Sequence, residues 1–127
     1  MDYILDTHVL LWSMFDSVKL SQLAQNVLLD RQYRRFVSIV SVWEIAIKNR
    51  IGKLPLPGGL EDIFYAIAKR GYGIVDINRR HIEIFSALPL VHRDPFDGII
   101  IATALREQMT IITADEHMQK YDVPWVW

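Results

Sequence analysis

The chain has 127 residues, no cysteine and nearly balanced charge, with 14 Lys and Arg against 15 Asp and Glu. This length predicts one domain over residues 1–127, and the missing cysteines exclude a disulfide framework, a thiolate zinc site and a cysteine nucleophile. The net charge of −1 excludes a global positive field that would attract nucleic acid, although charge can still be sorted between faces.

Short apolar runs typical of strands alternate along the chain with segments typical of helices. Strands are predicted at 1–5, 35–39, 74–77, 110–113 and 124–127. Helices are predicted at 7–15, 21–29, 41–50, 60–69, 79–87 and 94–107, with a helical turn at 115–119. Ser41 and Glu44 have the spacing of a capping box, which predicts that the third helix begins at Ser41. This alternation indicates a parallel α/β sheet that is covered by helices on both faces.

The charged and apolar patterns also predict where the chain resides. No run reaches the ~20 apolar residues of a membrane-spanning helix, and the amino terminus lacks the basic start of a signal peptide. We therefore expect a cytoplasmic protein with no membrane span. Two arginine clusters, at positions 31, 34 and 35 and at 79 and 80, are predicted to be solvated helix ends.

Carboxylates stand where several predicted strands pass into helices. Asp6 directly follows the first strand, Glu44 lies one turn into the third helix, Asp94 and Asp97 begin the long helix, and Asp115 follows the fourth strand. Because open α/β sheets bind ligands at the carboxyl ends of their strands, we expect these acids at one edge of the sheet. Taken singly, most have an ordinary explanation as helix caps or capping-box partners.

Converging acids need a proton or a cation. Two carboxylates about 4 Å apart repel by roughly 4 kcal/mol at an effective dielectric constant of 20. Oxygen ligands without cysteine favour Mg²⁺ or Mn²⁺, and such a site supports phosphodiester hydrolysis. The four histidines lack the spacing of a zinc site and are predicted to lie at the surface or to support the acids.

The sequence resembles the PIN-domain ribonucleases, and within them the VapC-type toxins of bacterial toxin–antitoxin modules. The matching segments follow the family's order and span nearly the whole chain. They are residues 4–12, 41–48, 52–54, 92–97, 101–104 and 112–115. The resemblance implies a three-layer α/β/α sandwich with a central, mainly parallel sheet. It also implies a Mg²⁺-dependent endoribonuclease, with Mn²⁺ as a substitute, that cleaves RNA with a metal-activated water.

The resemblance also implies roles for individual residues. The acids that match the family's site are Asp6, Glu44, Asp97 and Asp115. Asp6 and Asp97 would be the principal metal ligands, and the hydroxyls of Thr7 and Thr113 would hold ligand oxygens in place. Asp94 ranks below Asp97, because an acid at its position belongs to this subgroup only. Gly98 departs from the pattern, because the subgroup usually has arginine there.

Three kinds of partner are expected. RNA would contact the basic residues around the acids, which are Lys48, Arg50, Lys53 and Arg93. The resemblance implies a homodimer and a small cognate antitoxin. The apolar helix 7–15, with Leu60, Phe64 and Ile67, would form a groove for that antitoxin, unless the second and fourth helices cover it.

Two other functions stay open at this point. An aspartate after the first strand also suits phosphatases that form an aspartyl phosphate, although the second aspartate of those enzymes would stand where this chain has His8. The second alternative is a catalytically silent interaction domain that keeps the PIN fold.

Overall fold

A sheet of five parallel strands forms the centre of the computed structural model, which describes residues Met1–Trp127. Its strands are β1 (Asp2–Leu5), β2 (Arg34–Ser38), β3 (Gly73–Val75), β4 (Thr110–Ile112) and β5 (Trp125–Val126). Their spatial order is β3-β2-β1-β4-β5, and all four pairings are parallel. The prediction of a mainly parallel sheet is confirmed, and the sheet is entirely parallel.

Seven α-helices connect and cover the strands. They are α1 (Thr7–Phe15), α2 (Gln22–Leu29), α3 (Ile39–Arg50), α4 (Gly59–Lys69), α5 (Arg79–Ala87), α6 (Pro95–Glu107) and α7 (Glu116–Gln119). A 3₁₀ turn at Ser17–Lys19, which the sequence did not predict, joins α1 to α2. None of these helices has the length and apolar character that crossing a membrane requires.

The central strand β1 divides the core into two layers. Successive strand residues point to opposite faces of the sheet. Leu5 accordingly belongs to a cluster with side chains of α1, α2 and α4, whereas Ile4 belongs to a cluster with Ile100 and Ile101 of α6. The predicted α/β/α sandwich is therefore confirmed.

The start of α3 differs from the prediction. Ser38, at the end of β2, caps this helix by accepting a hydrogen bond from the Val40 N–H at 3.1 Å. Ser41 is instead buried inside the helix, where its hydroxyl accepts a hydrogen bond from Thr7 at 2.9 Å. The capping box of Ser41 and Glu44 is thus wrong, because the strand passes into the helix one turn earlier than the spacing suggested.

His81 is also placed differently from the prediction of a surface or supporting histidine. Its side chain is buried at the start of α5, where Nδ1 accepts a hydrogen bond from the Asn78 N–H at 3.2 Å. The other ring nitrogen lies 3.0 Å from Glu107 Oε1 on α6. His81 therefore closes the cap of α5 and ties that helix to α6.

The expected antitoxin groove is partly filled by the chain itself. Val9 and Leu10 of α1 are fully buried in the cluster that includes residues of α2 and α4, as the alternative to an open groove predicted. Ile67 is only 1% exposed, so its expected place in a groove is wrong. Phe64 remains exposed at 40%.

Candidate active site

The predicted acids lie at the carboxyl edge of the sheet, where β1, β2 and β4 end. Asp6 follows β1 directly, and Asp115 follows β4 after a short turn. Asp97 lies in the first turn of α6, and Glu44 lies in α3 after β2. The parallel topology therefore brings the amino ends of helices, with their free N–H groups, to the same edge as the acids.

Asp6 is held by two hydrogen bonds. Its Oδ1 accepts the Val9 N–H at 2.8 Å and thereby caps α1, while its Oδ2 accepts the Thr113 hydroxyl at 2.5 Å. Burial raises the pKa of this carboxyl, and the Asp115 carboxylate raises it further, although the two hydrogen bonds act in the opposite direction. Both oxygens of Asp6 are therefore oriented before any ligand arrives.

Thr113 links two of the acids. Besides donating to Asp6, its hydroxyl oxygen accepts the backbone N–H of Asp115 at 3.0 Å. Asp115 in turn caps α7, since its Oδ1 accepts the His117 N–H at 2.8 Å. Thr7 donates to Ser41 and is hydrogen-bonded to none of the carboxylates.

The carboxyl of Asp97 is also strongly affected by its surroundings. Burial, followed by the carboxylates of Asp94, Asp6, Asp115 and Glu44, raises the pKa of Asp97 from 3.8 to about 8. The four other acids therefore act on the same carboxyl, so the site concentrates negative charge around it. Acids in such an arrangement are neutralised by protons or by a bound cation.

His92 contacts this carboxyl. Its Nε2 lies 3.1 Å from Asp97 Oδ2, and its ring stacks on that of His117 with 4.6 Å between the ring centres. Its backbone N–H donates to the hydroxyl of Tyr121 at 3.2 Å. The prediction that some histidines support the acids is consistent with this contact. No pattern in the sequence indicated which histidine would do so.

Glu44 carries an oxygen with no partner. Its Oε2 accepts a hydrogen bond from Lys48 Nζ at 2.7 Å, but its Oε1 is the one buried side-chain polar atom that has no hydrogen-bond partner. An unpartnered buried oxygen is costly unless a ligand uses it. Its presence beside several acids fits a divalent cation better than it fits a purely structural role.

Asp94, which the resemblance ranked below Asp97, lies close to that residue. Its Oδ1 accepts the N–H groups of Phe96 at 2.9 Å and Asp97 at 3.2 Å, so it caps α6 as an ordinary helix cap would. One possible ligand atom from each of His92, Asp94 and Asp97 lies within 4.8 Å of the other two. No other three histidine, aspartate or glutamate side chains of the chain lie this close together. Asp6, Glu44 and Asp115 stand farther apart, each held by its own hydrogen-bond or ion-pair partner.

The set of donors suits a hard cation. Most of the possible ligand atoms are carboxylate oxygens, which are the ligands that Mg²⁺ and Mn²⁺ prefer. A cavity of about 220 Å³ opens beside Asp6 and Asp115, and His8, Trp12 and Ala114 complete its lining. The residues therefore fit a divalent cation with room for a small oxygen ligand.

Comparison with known families shows to which family this chain belongs. The sequence matches the family model of the PIN domain over residues 3–124. The chain belongs to the PIN domain family. Among curated proteins, none matches the chain in sequence.

Solved structures similar to this PIN domain are toxin–antitoxin complexes. VapBC2 of Rickettsia felis, bound to a DNA fragment from its promoter, has 15% identity and a TM-score of 0.77, covering 100% of this chain and 99% of that chain. DNA-bound VapBC of Salmonella typhimurium has 12% identity and a TM-score of 0.74, with coverage of 99% and 97%. VapBC-1 of nontypeable Haemophilus influenzae has 18% identity and a TM-score of 0.69, again covering 99% and 97%. At these identities, the likeness establishes a shared fold.

The sequence did not single out two aromatic residues beside the acids of this PIN domain. Trp43 and Phe96 directly precede Glu44 and Asp97, and their rings meet edge to face with 5.4 Å between centres. The side chain of Trp43 is 59% exposed. The only signal in the sequence was their adjacency to the acids.

The four basic residues expected to contact RNA have different surroundings. Lys48 is engaged with Glu44 and lies within the acidic site. Arg50, Lys53 and Arg93 are exposed, and none of them takes part in an ion pair. Arg93 lies one residue before Asp94, next to the acids.

Proposed function

We propose that this PIN domain is a VapC-type toxin, a divalent-cation-dependent endoribonuclease. The observation that carries the proposal is the convergence of four carboxylates on the buried Asp97, which with burial raises the pKa of Asp97 to about 8. A cation bound among these carboxylates would relieve their mutual repulsion and so stabilise the fold. A cation held by acids is also suited to phosphodiester hydrolysis. The partnerless Oε1 of Glu44 supports the same reading.

The proposed ligands are Asp6 and Asp97, completed by Glu44 and Asp115 directly or through water. Mg²⁺, or Mn²⁺ in its place, would act as a Lewis acid toward a phosphate oxygen and lower the pKa of the attacking water. The protein would supply orientation, since the Val9 N–H and the Thr113 hydroxyl fix both oxygens of Asp6. Near neutral pH, the Asp97 carboxyl would release its proton as the cation binds.

RNA is the proposed substrate because aromatic and basic groups surround the acids. Bases of single-stranded nucleic acids stack on exposed aromatic rings, and the backbone follows positive side chains. The exposed ring of Trp43 and the free cation of Arg93 lie beside the acids in sequence and at the same edge of the sheet. This combination favours RNA over a small phosphoester.

A toxin of this class would act in the cytoplasm with two protein partners. The structurally similar VapBC proteins were solved as toxin–antitoxin complexes, which supports a cognate antitoxin as one partner. A second copy of the chain, forming a homodimer, is the other. Copurification with the product of the adjacent reading frame tests the first partner, and light scattering of the purified chain tests the second.

Two alternatives remain to be separated from this proposal. In a phosphatase that forms an aspartyl phosphate, Asp6 would become phosphorylated, and trapping that intermediate would support it. In a silent interaction domain, the acids would bind no cation and cleave nothing. The exposed histidine at position 8, where such phosphatases have an aspartate, counts against the first alternative.

The test is a metal-titrated cleavage assay with single-stranded RNA. Wild-type protein should cleave RNA with Mg²⁺ or Mn²⁺ and stop when the metal is chelated, leaving 5′-phosphate and 3′-hydroxyl ends. An Asp97→Asn protein purified in parallel controls for contaminating nucleases. Equal cleavage by both proteins, or none by wild type at any metal concentration, would refute the proposal.

A further inference from the structure

The largest cavity of the molecule lies away from the acids. It has a volume of about 530 Å³, within the usual range of small-molecule sites, and the last turns of α1, α2 and α4 surround it. Four cationic side chains line it and no carboxylate does; the four are Arg31, Arg35, Lys69 and Arg70. Because Arg35 is the second residue of β2 and Tyr72 precedes β3, this cavity lies at the amino edge of the sheet, opposite the acids.

None of the four cations takes part in an ion pair. The ion pairs of the chain involve other residues, including neighbouring Arg34, which binds Asp2 at 2.6 Å. The guanidinium groups of Arg31 and Arg35 also converge, since both lie within 4 Å of the position that a Cβ at Gly71 would take. The prediction that the first arginine cluster is a solvated helix end is wrong for Arg35, which is 5% exposed.

Part of this positive charge has an ordinary structural use. Arg35 donates hydrogen bonds to the carbonyl oxygens of Tyr33 and Leu28, and Arg70 donates to that of Ser13 at 3.3 Å. These contacts satisfy the carboxyl ends of α2 and α1. The carboxyl ends of three helices contribute about half a negative charge each. The four cations therefore exceed this negative charge by about 2.5 positive charges. Helix capping alone therefore does not account for the charge.

The lining indicates what kind of anion fits. An excess above two charges matches a group with two or more negative charges, whereas one carboxylate supplies a single charge. Three of the four cations are arginines, whose planar fork matches phosphate oxygens. Leu20, Leu28 and the ring of Tyr72 form an apolar wall beside the cations, against which a base or ribose can pack.

We propose that this cavity binds the phosphates of a nucleotide, with the base or ribose against the apolar wall. The nucleotide is either free or part of an RNA strand, and both share the same phosphate chemistry. The site is distinct from the acidic edge and does not depend on the nuclease proposal.

The test is calorimetric binding of two probes, ADP and a single-stranded uridine octamer, with EDTA present to prevent metal-bridged binding at the acids. Arg31 and Lys69 are both exposed, so Arg31→Gln/Lys69→Gln should fold normally, with an unchanged Tm. Loss of two charge-assisted contacts should weaken binding of at least one probe about tenfold or more. Backbone amide shifts on binding should centre on residues 29–35 and 69–72.

A matched control removes two arginines elsewhere. Arg79 and Arg80 are exposed and pair only with Glu83, so Arg79→Gln/Arg80→Gln makes the same change in net charge. This variant should bind both probes as wild type does. Asp97→Asn should also bind ADP normally, which separates this site from the acidic one even if the chain cleaves no RNA.

Each binding result either identifies the ligand of the cavity or contradicts the proposal. Binding of ADP alone identifies a free nucleotide, and tighter binding of the octamer that Arg31→Gln/Lys69→Gln weakens identifies RNA. Equal weakening in both double variants would mean nonspecific attraction and overturn the proposal. Absence of binding to both probes would overturn it as well. Tighter binding of an oligoglutamate peptide than of either probe would show that the cavity accepts carboxylates of a protein partner, and the phosphate assignment would be wrong.

Discussion

The two edges of the sheet carry opposite charge, although the chain as a whole is close to neutral. The carboxyl edge gathers five acids, whereas the cavity at the amino edge gathers four cations and no acid. The helices explain the direction of this separation. In a parallel α/β fold their amino ends lie at the carboxyl edge of the sheet and their carboxyl ends lie at the opposite edge.

Side chains at both edges complement the helix ends they meet. Asp6, Asp94 and Asp115 accept N–H groups at the starts of α1, α6 and α7, while Arg35 and Arg70 donate to carbonyls near the ends of α2 and α1. Helix dipoles favour this arrangement at both edges. The two edges differ in the charge that these helix caps leave unneutralised. At the carboxyl edge a carboxyl pKa is still raised, and at the amino edge the cations still have no ion-pair partner.

Removing one acid should have the largest effect on the carboxyl edge. Asp97→Asn should lower kcat/KM for RNA cleavage by at least about 100-fold, because a ligand to the cation is lost. Asp6→Asn should behave in the same way. Asp94→Asn is the control, and its loss should be smaller because asparagine also caps helices well.

Cleavage rates and circular dichroism spectra measured together check this prediction. Asp97→Asn should keep the wild-type spectrum. A near wild-type rate in Asp97→Asn would remove it from the proposed site, and an equally inactive Asp94→Asn would make Asp94 a direct ligand.

At the amino edge, neighbouring arginines should differ in their contribution to stability. Arg35→Met should lower the free energy of unfolding by about 2 kcal/mol, because buried carbonyl groups lose a charged donor. Arg34→Met should cost clearly less, because Arg34 forms an exposed ion pair with Asp2. Urea denaturation of both variants measures the difference. Equal losses would show that the cavity cations contribute no more than surface pairs.

The metal-free protein should lose stability as pH rises from about 4 to 8. The pKa of Asp97 is about 8 in the folded state against 3.8 ordinarily, so the folded state holds a proton that the unfolded state has released. Stability therefore falls through this window and levels off above it. Relative to Asp97→Asn, the wild-type slope should be steeper by up to about 1.4 kcal/mol per pH unit.

Unfolding in EDTA at several pH values provides the measurement. Parallel curves for wild type and Asp97→Asn would contradict the raised pKa. Mg²⁺ should flatten the wild-type curve at pH 8, where the unprotonated carboxyl is ready to bind it.

The smallest expected effect concerns the aromatic residues beside the acids. Trp43→Ala should raise KM for single-stranded RNA about tenfold, because a stacked base is worth about 1–3 kcal/mol. Trp43→Phe should retain most of the affinity. If Trp43→Ala cleaves RNA with wild-type KM, or changes only the oligomeric state, the exposed ring serves a protein contact instead.

Patterns in the sequence were sufficient to predict the parallel sheet and the edge of it at which the acids lie. Strand ends depend on local apolar runs, and the carboxyl ends of parallel strands meet at one edge, so Asp6 and Asp115 could be located without coordinates. The start of α3 was mispredicted because Ser38 and Ser41 are both adequate caps by spacing. Which of them acts depends on where β2 ends, and pairing with β1 and β3 determines that point.

Contacts between distant segments could not be predicted. The distance between His92 and Asp97 depends on how the loop before α6 folds against Tyr121. The cationic cavity combines residues from position 13 to position 72, and three helix ends have to meet before it exists. The contact between the rings of Trp43 and Phe96 likewise joins two helices, α3 and α6, that lie far apart in the sequence.

The parallel sheet also sets the order in which the molecule can become active. Parallel strands cannot pair through a short hairpin, and the hydrogen bond between Thr113 and Asp6 joins residues 107 positions apart. During synthesis, Asp6 leaves the ribosome early but lacks Thr113 and Asp115 until β4 has emerged and docked beside β1. The proposed nuclease therefore has no assembled acidic edge until β4 has docked, so the segments that are made before β4 cannot cleave RNA on their own.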